Sequence, residues 1–149
     1  MQGSLVVLSA LLLASSAFAD DDTGRAKLMG QWQQTDGSGE TKSTWALDGS
    51  GDSIHVVKSA GSQTLAEFEC NTLGKECAVK DAGRRAKVSL WFNGPKLIEM
   101  ETVGSDVVKR SFSVAGDGDA MDLETIPIAP GGATETTHFK RVPSAAAKQ

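Results

Sequence analysis

The chain has 149 residues and a formal net charge of −4, from 15 basic and 19 acidic side chains. Such a mildly acidic chain lacks the basic surface that nucleic acid or anionic lipid requires. With five Phe, three Trp and no Tyr, it also lacks the stacking platforms of single-strand nucleic-acid binders and the aromatic surfaces of many carbohydrate binders.

The first predicted element is a signal peptide over residues 1–19. Leu5 to Leu13 form a short apolar run, and Ala17-Phe18-Ala19 is a small-x-small cleavage pattern before Asp20. The run is too short to cross a bilayer. We therefore predict an exported protein without a membrane span, periplasmic or secreted, whose mature chain starts at Asp20.

The mature chain is long enough for a single domain with its own core. We predict an acidic tail at 20–23 and a short helical turn over Arg25 to Met29, which together fill 20–29. The folded domain then covers 30–142, and residues 143–149 are predicted to be a disordered tail.

Alternating strand-like segments follow, separated by turns rich in Gly, Asp and Asn. No segment after the signal peptide keeps a helical period, which excludes βαβ crossovers. Consecutive hairpins favour an all-β, antiparallel up-and-down β-barrel of about eight to ten strands, because closure removes exposed edges. The predicted strands are Gln31–Asp36, Ser43–Leu47, Ser53–Lys58, Thr64–Cys70, Glu76–Asp81, Lys87–Phe92, Lys96–Thr102, Asp106–Ala115, Ala120–Ile126 and Thr134–Val142.

Cys70 and Cys77 flank a polar turn that contains Asn71 and Gly74. An even cysteine count in an exported chain favours a disulfide, and the turn would place the two cysteines across a hairpin at a bridgeable distance. On the chain-entropy model, closing this loop stabilises the fold by about 2.5 kcal/mol. A redox-active pair would instead need Cys-x-x-Cys at a helix start.

Gly30-Gln31-Trp32 opens the first predicted strand, and Arg141 lies near the end of the last. With the helical turn before them, these residues resemble the calycin superfamily of lipocalins and fatty-acid-binding-protein-like barrels. The chain most resembles small exported bacterial lipocalin-like proteins of unassigned function. The resemblance implies structural roles for Gly30, Trp32 and Arg141, with the arginine packed on the tryptophan at one barrel end.

The chain also departs from that family pattern. The Thr-Asp-Tyr motif of typical lipocalins and the helix after their barrel are missing. The segment from Asp36 to Thr41 is too short for the two-helix lid of fatty-acid-binding proteins.

Alternation predicts which side chains face the interior. On the seventh predicted strand, Ile98 and Met100 are assigned inward, whereas Glu99 and Glu101 are assigned to a solvated face. Trp91 is assigned to the outer surface, where it would mark a contact patch. Other inward residues of the predicted pocket are Val88, Val108 and Leu123, and the predicted ligand-binding residues are Trp45, Leu47, Leu90, Phe92, Met100, Arg110 and Phe112.

These assignments favour a binding protein for a small hydrophobic or carboxylate-bearing ligand. Arg110 lies on the predicted inner face of an apolar strand, where a buried guanidinium needs an anionic partner. That partner is either a ligand carboxylate or an internal glutamate such as Glu124, unless Arg110 lies in solvent at the barrel mouth. The alternative function is a filled barrel that acts through its loops as a protein-interaction or inhibitor module, with a protein partner.

The sequence contains no motif for enzymatic catalysis or metal binding. His55 and His138 lack the spacing of zinc ligands, and the Asp-Gly segments at 48–52 and 117–119 lack the full ligand set of a calcium loop. No nucleophile is placed next to a base. We predict no catalytic residue, no metal site and no cofactor.

Overall fold

The computed structural model describes residues 17–36 and 42–143. Within them, one α-helix precedes ten β-strands, and each strand overlaps one that the sequence predicts. The helix α1 spans Ala17–Leu28, and the strands are β1 (Gly30–Gln34), β2 (Ser43–Ser50), β3 (Ser53–Ala60), β4 (Gln63–Asn71), β5 (Leu73–Asp81), β6 (Arg84–Asn93), β7 (Lys96–Val103), β8 (Asp106–Val114), β9 (Ala120–Ala129) and β10 (Glu135–Val142).

The ten strands form one antiparallel sheet that curls into a nearly closed barrel. Its order is β4-β3-β2-β1-β10-β9-β8-β7-β6-β5. The first and last strands of the chain are therefore neighbours in the middle of the sheet, and Trp32 of β1 lies opposite Arg141 of β10. The predicted all-β antiparallel barrel is confirmed.

The barrel closes where the sheet edges β4 and β5 meet, and we call this line the seam. Of the strands that the structure describes, these two are chain neighbours that share no hydrogen-bonded ladder. The Cys70–Cys77 disulfide joins them near one end, with the two Cα atoms 6.0 Å apart. Near the other end, the N–H of Ala82 donates to the carbonyl of Leu65 at 2.9 Å. The predicted disulfide is confirmed, and it bridges two sheet edges.

Arg141 holds one end of the barrel together. Its guanidinium lies 4.2 Å from the ring centroid of Trp32. Its Nε donates to the carbonyl of Gly118 at 2.9 Å, its Nη1 to that of Met29 at 2.7 Å, and its Nη2 to that of Lys27. Carbonyls at the C-terminal end of a helix lack partners within the helix, and a cation is favoured there. One side chain therefore joins β10, β1, the β8–β9 turn and α1.

Gly30 makes room for that arginine. Its φ is 132°, a conformation that L side chains rarely adopt, and a Cβ at this position would collide with Nη1 of Arg141. Two residues further on, fully buried Trp32 donates its indole N–H to the carbonyl of Leu28 at 2.8 Å. The Gly-x-Trp spacing thus positions the backbone for Arg141 and the indole for α1.

The barrel interior is filled by apolar side chains from the strands and from the end of α1. Successive strand residues point to opposite faces, and every strand except β5 contributes to this core; Cys77 and Val79 of β5 are partly buried against it. The buried cluster consists of Leu28, Trp32, Trp45, Leu47, Ile54, Val56, Cys70, Val88, Leu90, Leu97, Phe112, Met121, Leu123 and Phe139.

The side chains of strand β7 that face the interior are not the ones predicted. Glu99 and Glu101 are only 2% and 8% exposed, whereas Met100 between them is half-buried on the opposite face. The assignment of Met100 inward and of the two glutamates to solvent is therefore wrong. Leu97, Ile98 and Glu99 are buried in succession, so burial does not alternate here, and Ile98 shares the face of Met100.

Helix α1 is longer than the turn predicted over Arg25 to Met29, and it includes the residues predicted as a tail at 20–23. Cleavage after Ala19, inside the span of α1, stays a prediction. Residues 1–16 of the predicted signal peptide and 144–149 of the predicted tail lie outside the described residues. In the described ranges, no helix combines the length and apolar character needed to cross a membrane.

Replacement of Gly30 by alanine tests the role of this glycine. We expect Gly30→Ala to lower the free energy of unfolding by about 3 kcal/mol. An alanine is strained at this φ, and its Cβ would force Arg141 to move. Urea unfolding at fixed pH measures the change. Gly116→Ala is the matched control, since a Cβ there meets no atom within 4 Å and its φ is ordinary. Equal stability of the two variants would contradict the role of Gly30.

Candidate functional site

Four of the predicted ligand-binding residues lie together inside the barrel. Trp45, Leu47, Leu90 and Phe112 are each at most 3% exposed and belong to the buried cluster. The rings of Trp45 and Phe112 meet edge to face, with centroids 5.1 Å apart. These side chains pack on one another, and a contact between them and a ligand stays a prediction.

The other three predicted residues are separated. Phe92 is half-buried near the end of β6, and Met100 lies on the outer face of β7. Arg110 lies inside the barrel on β8, with its side chain 13% exposed. The structure therefore does not bring the seven residues around one ligand space.

Arg110 is paired with two glutamates of the neighbouring strand. Its Nη1 donates to Oε1 of Glu99, and its Nη2 lies 3.2 Å from Oε1 of Glu101. Of the alternatives, pairing with an internal glutamate is the arrangement found, but the partners are Glu99 and Glu101. Glu124 lies exposed on β9, opposite Ser111.

A second ion pair extends this cluster across the seam. Nζ of Lys58 on β3 lies 2.7 Å from Oδ2 of Asp81 on β5, and both side chains are largely buried. The two cations also approach one aromatic ring, with Lys58 Nζ at 5.6 Å and Arg110 Cζ at 5.8 Å from the centroid of Trp45. We call Lys58, Asp81, Glu99, Glu101 and Arg110 the interior ion cluster.

The interior ion cluster holds two cations and three carboxyl groups. Burial raises the pKa of Glu101, and so do a hydrogen bond with Asp81 and the charge of Glu99, against the lowering effect of Arg110. Burial alone would also raise the pKa of Asp81, but hydrogen bonds from Lys58 and Glu101 lower it overall. Of these two carboxyl groups, Glu101 therefore binds a proton more readily than Asp81.

The same cluster fixes the charge of Arg110. Burial by itself would lower the pKa of its guanidinium, but Glu99 and Glu101 raise it. The arginine is thus a permanent cation whose two Nη atoms already donate to carboxylates. A ligand carboxylate would have to displace a glutamate to reach it, and the displaced carboxylate would be left buried without a partner.

A cavity of about 680 Å³ lies between α1 and the barrel end that Arg141 seals. We call it the α1 cavity. Turns β2–β3 and β4–β5 and the end of β6 form its other walls. Its apolar lining consists of Met29, Ile54, Leu73, Trp91 and Phe92.

Arg25 of α1 supplies the α1 cavity with a positive charge. Its Nε donates to the carbonyl of Gly94 at 3.0 Å, and its guanidinium lies 4.7 Å from the ring centroid of Phe92. These contacts fix the side chain against the barrel. Its ion pair with Asp22 is long, at 3.9 Å, and the aspartate side chain is 82% exposed. Such a pair contributes little energy. The cavity lining also includes the carboxylates of Asp22 and Asp52, and Arg25 is its cation.

A second opening of about 900 Å³ lies at the middle of the seam, and we call it the seam cleft. Its walls combine the apolar side chains of Phe68, Val79 and Ala86 with the basic side chains of Lys80, Arg85 and Lys87. Neither the seam cleft nor the α1 cavity is lined by Arg110 or Trp45.

The sequence analysis assigned Trp91 and Phe92 to opposite faces of β6, and the α1 cavity brings both to its rim. It missed Arg25, Ile54 and Leu73 as lining residues. The sequence did contain a signal for Leu73, because it is a lone apolar residue in the polar segment between the cysteines. In the structure its side chain is 58% exposed. No sequence signal indicated Arg25, because its position at the cavity depends on where α1 packs.

The two histidines form exposed pairs with carboxylates. His55 Nε2 lies 3.2 Å from Glu67 Oε1, and His138 Nδ1 lies 2.7 Å from Asp122 Oδ1. In residues 17–36 and 42–143, no three His, Cys, Asp or Glu side chains are grouped so that they could hold a metal ion.

No family model matches the sequence, and neither does any curated protein. Solved structures with the same fold include the "REP1-NXSQ fatty acid transporter", with a TM-score of 0.65 and 19% identity over 80% of this chain and 98% of that one. A secretory abundant heat soluble protein from Ramazzottius varieornatus gives a TM-score of 0.62 and 19% identity, over 78% and 96% of the two chains. A Schistosoma mansoni fatty acid binding protein in complex with arachidonic acid gives 0.63 and 16%, over 80% and 99%.

These neighbours are calycin-like barrels, and the likeness shows that this chain has their fold. The first is a fatty acid transporter and the third a fatty acid binding protein. The finer likeness to small exported bacterial proteins stays a prediction.

The raised pKa of Glu101 predicts a pH dependence of stability. A carboxyl group with a raised folded pKa stabilises the fold fully below its unfolded pKa, and this stabilisation is lost as pH rises through the folded pKa. Glu101→Gln cannot lose a proton, and its amide can still donate to Asp81. We expect urea unfolding at a series of pH values to favour Glu101→Gln over the natural protein increasingly as pH rises.

Glu124→Gln, at an exposed carboxyl, is the control for a lost surface charge. Asp81 contributes in the opposite sense: because its pKa is lowered, its stabilisation is present above its unfolded pKa and is lost as pH falls through its folded pKa. A difference that stays constant as pH rises would contradict the raised pKa of Glu101.

Proposed function

We propose that this protein binds a small apolar or amphipathic molecule in the α1 cavity and is not an enzyme. The observation that carries the proposal is the cavity itself. Its volume of about 680 Å³ lies within the range of ligand pockets, roughly 300–1,000 Å³. Its apolar walls and small number of convergent polar groups are also typical of such pockets.

The ligand body would lie against Met29, Ile54, Trp91 and Phe92. Phe92 is thus the one predicted ligand-binding residue that we place in direct contact. The packed core residues Trp45, Leu47, Leu90 and Phe112 would support the floor beneath it. Burial of apolar ligand surface provides the affinity, at about 25 cal/mol per Å² before the costs of association.

Arg25 would bind a polar or carboxylate head group. Its side chain is already held by Gly94 and Phe92, so little conformational entropy is lost when an anion binds. We favour Arg25 over Arg110 as the anchor, because the latter is neutralised by Glu99 and Glu101. Transport or binding of fatty acids by two structural neighbours agrees with this ligand class.

We further propose that the protein acts outside the cytoplasm, in the periplasm or as a secreted protein. The apolar run and cleavage pattern of residues 1–19 support export. The Cys70–Cys77 disulfide agrees with an oxidising compartment. Cleavage after Ala19 would leave Asp22, Arg25 and Met29 in place, so the mature chain keeps the α1 cavity.

A second candidate function is a protein-interaction module that uses the same barrel end. Its support is the packed interior together with Leu73, which is 58% exposed beside Trp91. Native mass spectrometry of protein purified from its own host separates the two functions. A co-purifying small molecule supports ligand binding, and an empty protein in a stable complex with a second chain supports the module.

Binding of N-phenyl-1-naphthylamine, a neutral apolar fluorophore, tests the α1 cavity directly. We expect Trp91→Ala to weaken binding by about tenfold or more, because it removes a large apolar wall. Leu73→Ser should weaken it by several-fold, and the exposure of this side chain means that the fold is preserved. A fluorescence titration measures both effects.

Ile128→Ser is the matched control, since Ile128 is also an exposed large apolar side chain, at 49%, and does not line the cavity. We expect it to bind the probe like the natural protein. Equal loss in Leu73→Ser and Ile128→Ser, or no binding by the natural protein, would contradict the proposed site.

A further inference from the structure

The hairpin of β5 and β6 contains an arrangement that costs stability. Lys80 and Arg85 lie directly opposite each other in its register, on the face away from the buried Ala86. Both are exposed, and in the part of the chain that the structure describes neither is in an ion pair. Like charges that face each other across two strands are destabilising.

The basic pair belongs to a larger positive patch. Lys87 lies on the same face two pairs further along, opposite Ala78, and its exposed ion pair with Glu76 is 3.1 Å long. The seam cleft is lined by three cations and by the carboxylate of Glu67, and because Glu76 offsets Lys87, its excess positive charge comes from Lys80 and Arg85. The whole chain carries −4, so this cleft is positive on a protein that is otherwise acidic.

An apolar slot lies beside these charges. Between the disulfide at one end and the Ala82–Leu65 hydrogen bond at the other, the two edges of the seam are not joined by a ladder. The side chains of Phe68 and Val79 line the cleft there. A surface with an apolar slot and an adjacent positive patch complements an amphipathic anion.

We propose that the seam cleft is a second binding site, for a single-chain amphipath with a dianionic head group of the phosphate monoester class. The phosphate would lie between Lys80 and Arg85 and relieve their repulsion, with charge-assisted hydrogen bonds from the guanidinium. The alkyl chain would enter the slot against Phe68 and Val79. This site is separate from the α1 cavity and does not depend on its ligand.

A phosphate monoester fits the patch better than a carboxylate. Near neutral pH it carries close to two negative charges, because its second pKa is about 6, and it offers three acceptor oxygens to two facing cations. A carboxylate carries one charge and would leave part of the repulsion in place. The positive charge of the seam cleft therefore favours a phosphate head group, and the apolar slot favours an alkyl chain.

Calorimetric titration with dodecyl phosphate, kept below its micelle concentration at low ionic strength, tests the proposal. We expect the double variant K80Q/R85Q to bind it at least tenfold more weakly than the natural protein. The control K96Q/K140Q loses the same charge from exposed lysines on other strands and should bind normally. Thermal unfolding without ligand should show K80Q/R85Q to be at least as stable as the natural protein.

Three further ligands separate the sources of affinity. Dodecanoate should bind more weakly than dodecyl phosphate, because it lacks the second negative charge. Inorganic phosphate should bind more weakly still, because it lacks the alkyl chain. Dodecyltrimethylammonium should not bind at the cleft. Strong binding of phosphate alone would indicate a simple anion site and overturn the amphipath.

Equal affinity of K80Q/R85Q and K96Q/K140Q for dodecyl phosphate would overturn the proposal, as would equal binding of the cationic amphipath. The outcome is independent of the proposed function. Leu73→Ser should leave the part of dodecyl phosphate binding that K80Q/R85Q abolishes unchanged, and K80Q/R85Q should leave binding of the neutral fluorophore unchanged. Failure of one site is thus distinguishable from failure of the other.

Discussion

The contact of Arg141 with Trp32 is the constraint on which the rest of the structure depends. The arginine comes from the last strand and the tryptophan from the first, so their contact requires these strands to be neighbours. The same guanidinium binds carbonyls of Lys27 and Met29, which fixes the C-terminal end of α1 against the barrel. Since α1 forms one wall of the α1 cavity, the position of the candidate site follows from this contact.

The interior of the barrel explains why that site lies at its end. Aromatic and aliphatic side chains fill one part of the lumen, and the interior ion cluster fills the part near the seam. Its cations are each paired with carboxyl groups. A packed interior whose charged groups already have partners offers little to a ligand. The open space is instead found where secondary-structure elements meet imperfectly, beneath α1 and along the seam.

The sequence predicted the strands and their closure well, because alternation, turn residues and the Gly30–Trp32–Arg141 set are local signals of a global arrangement. It failed on β7, where Leu97, Ile98 and Glu99 are all buried and hydrophobicity alone placed the glutamates outside. The two glutamates can lie inside because Arg110 pairs with them, and this pairing depends on the register between β7 and β8. The α1 cavity could not be predicted either, since no sequence pattern indicates where α1 packs.

Hydrogen exchange of Arg141→Lys tests the central claim most directly. Lysine keeps the charge but cannot donate to the carbonyls of Lys27, Met29 and Gly118 at once. We expect amide protection to fall in β1, β10 and α1, while the β6–β7 hairpin stays protected. Unchanged protection of α1 and β1 would contradict the claim that this arginine holds the helix and the first and last strands together.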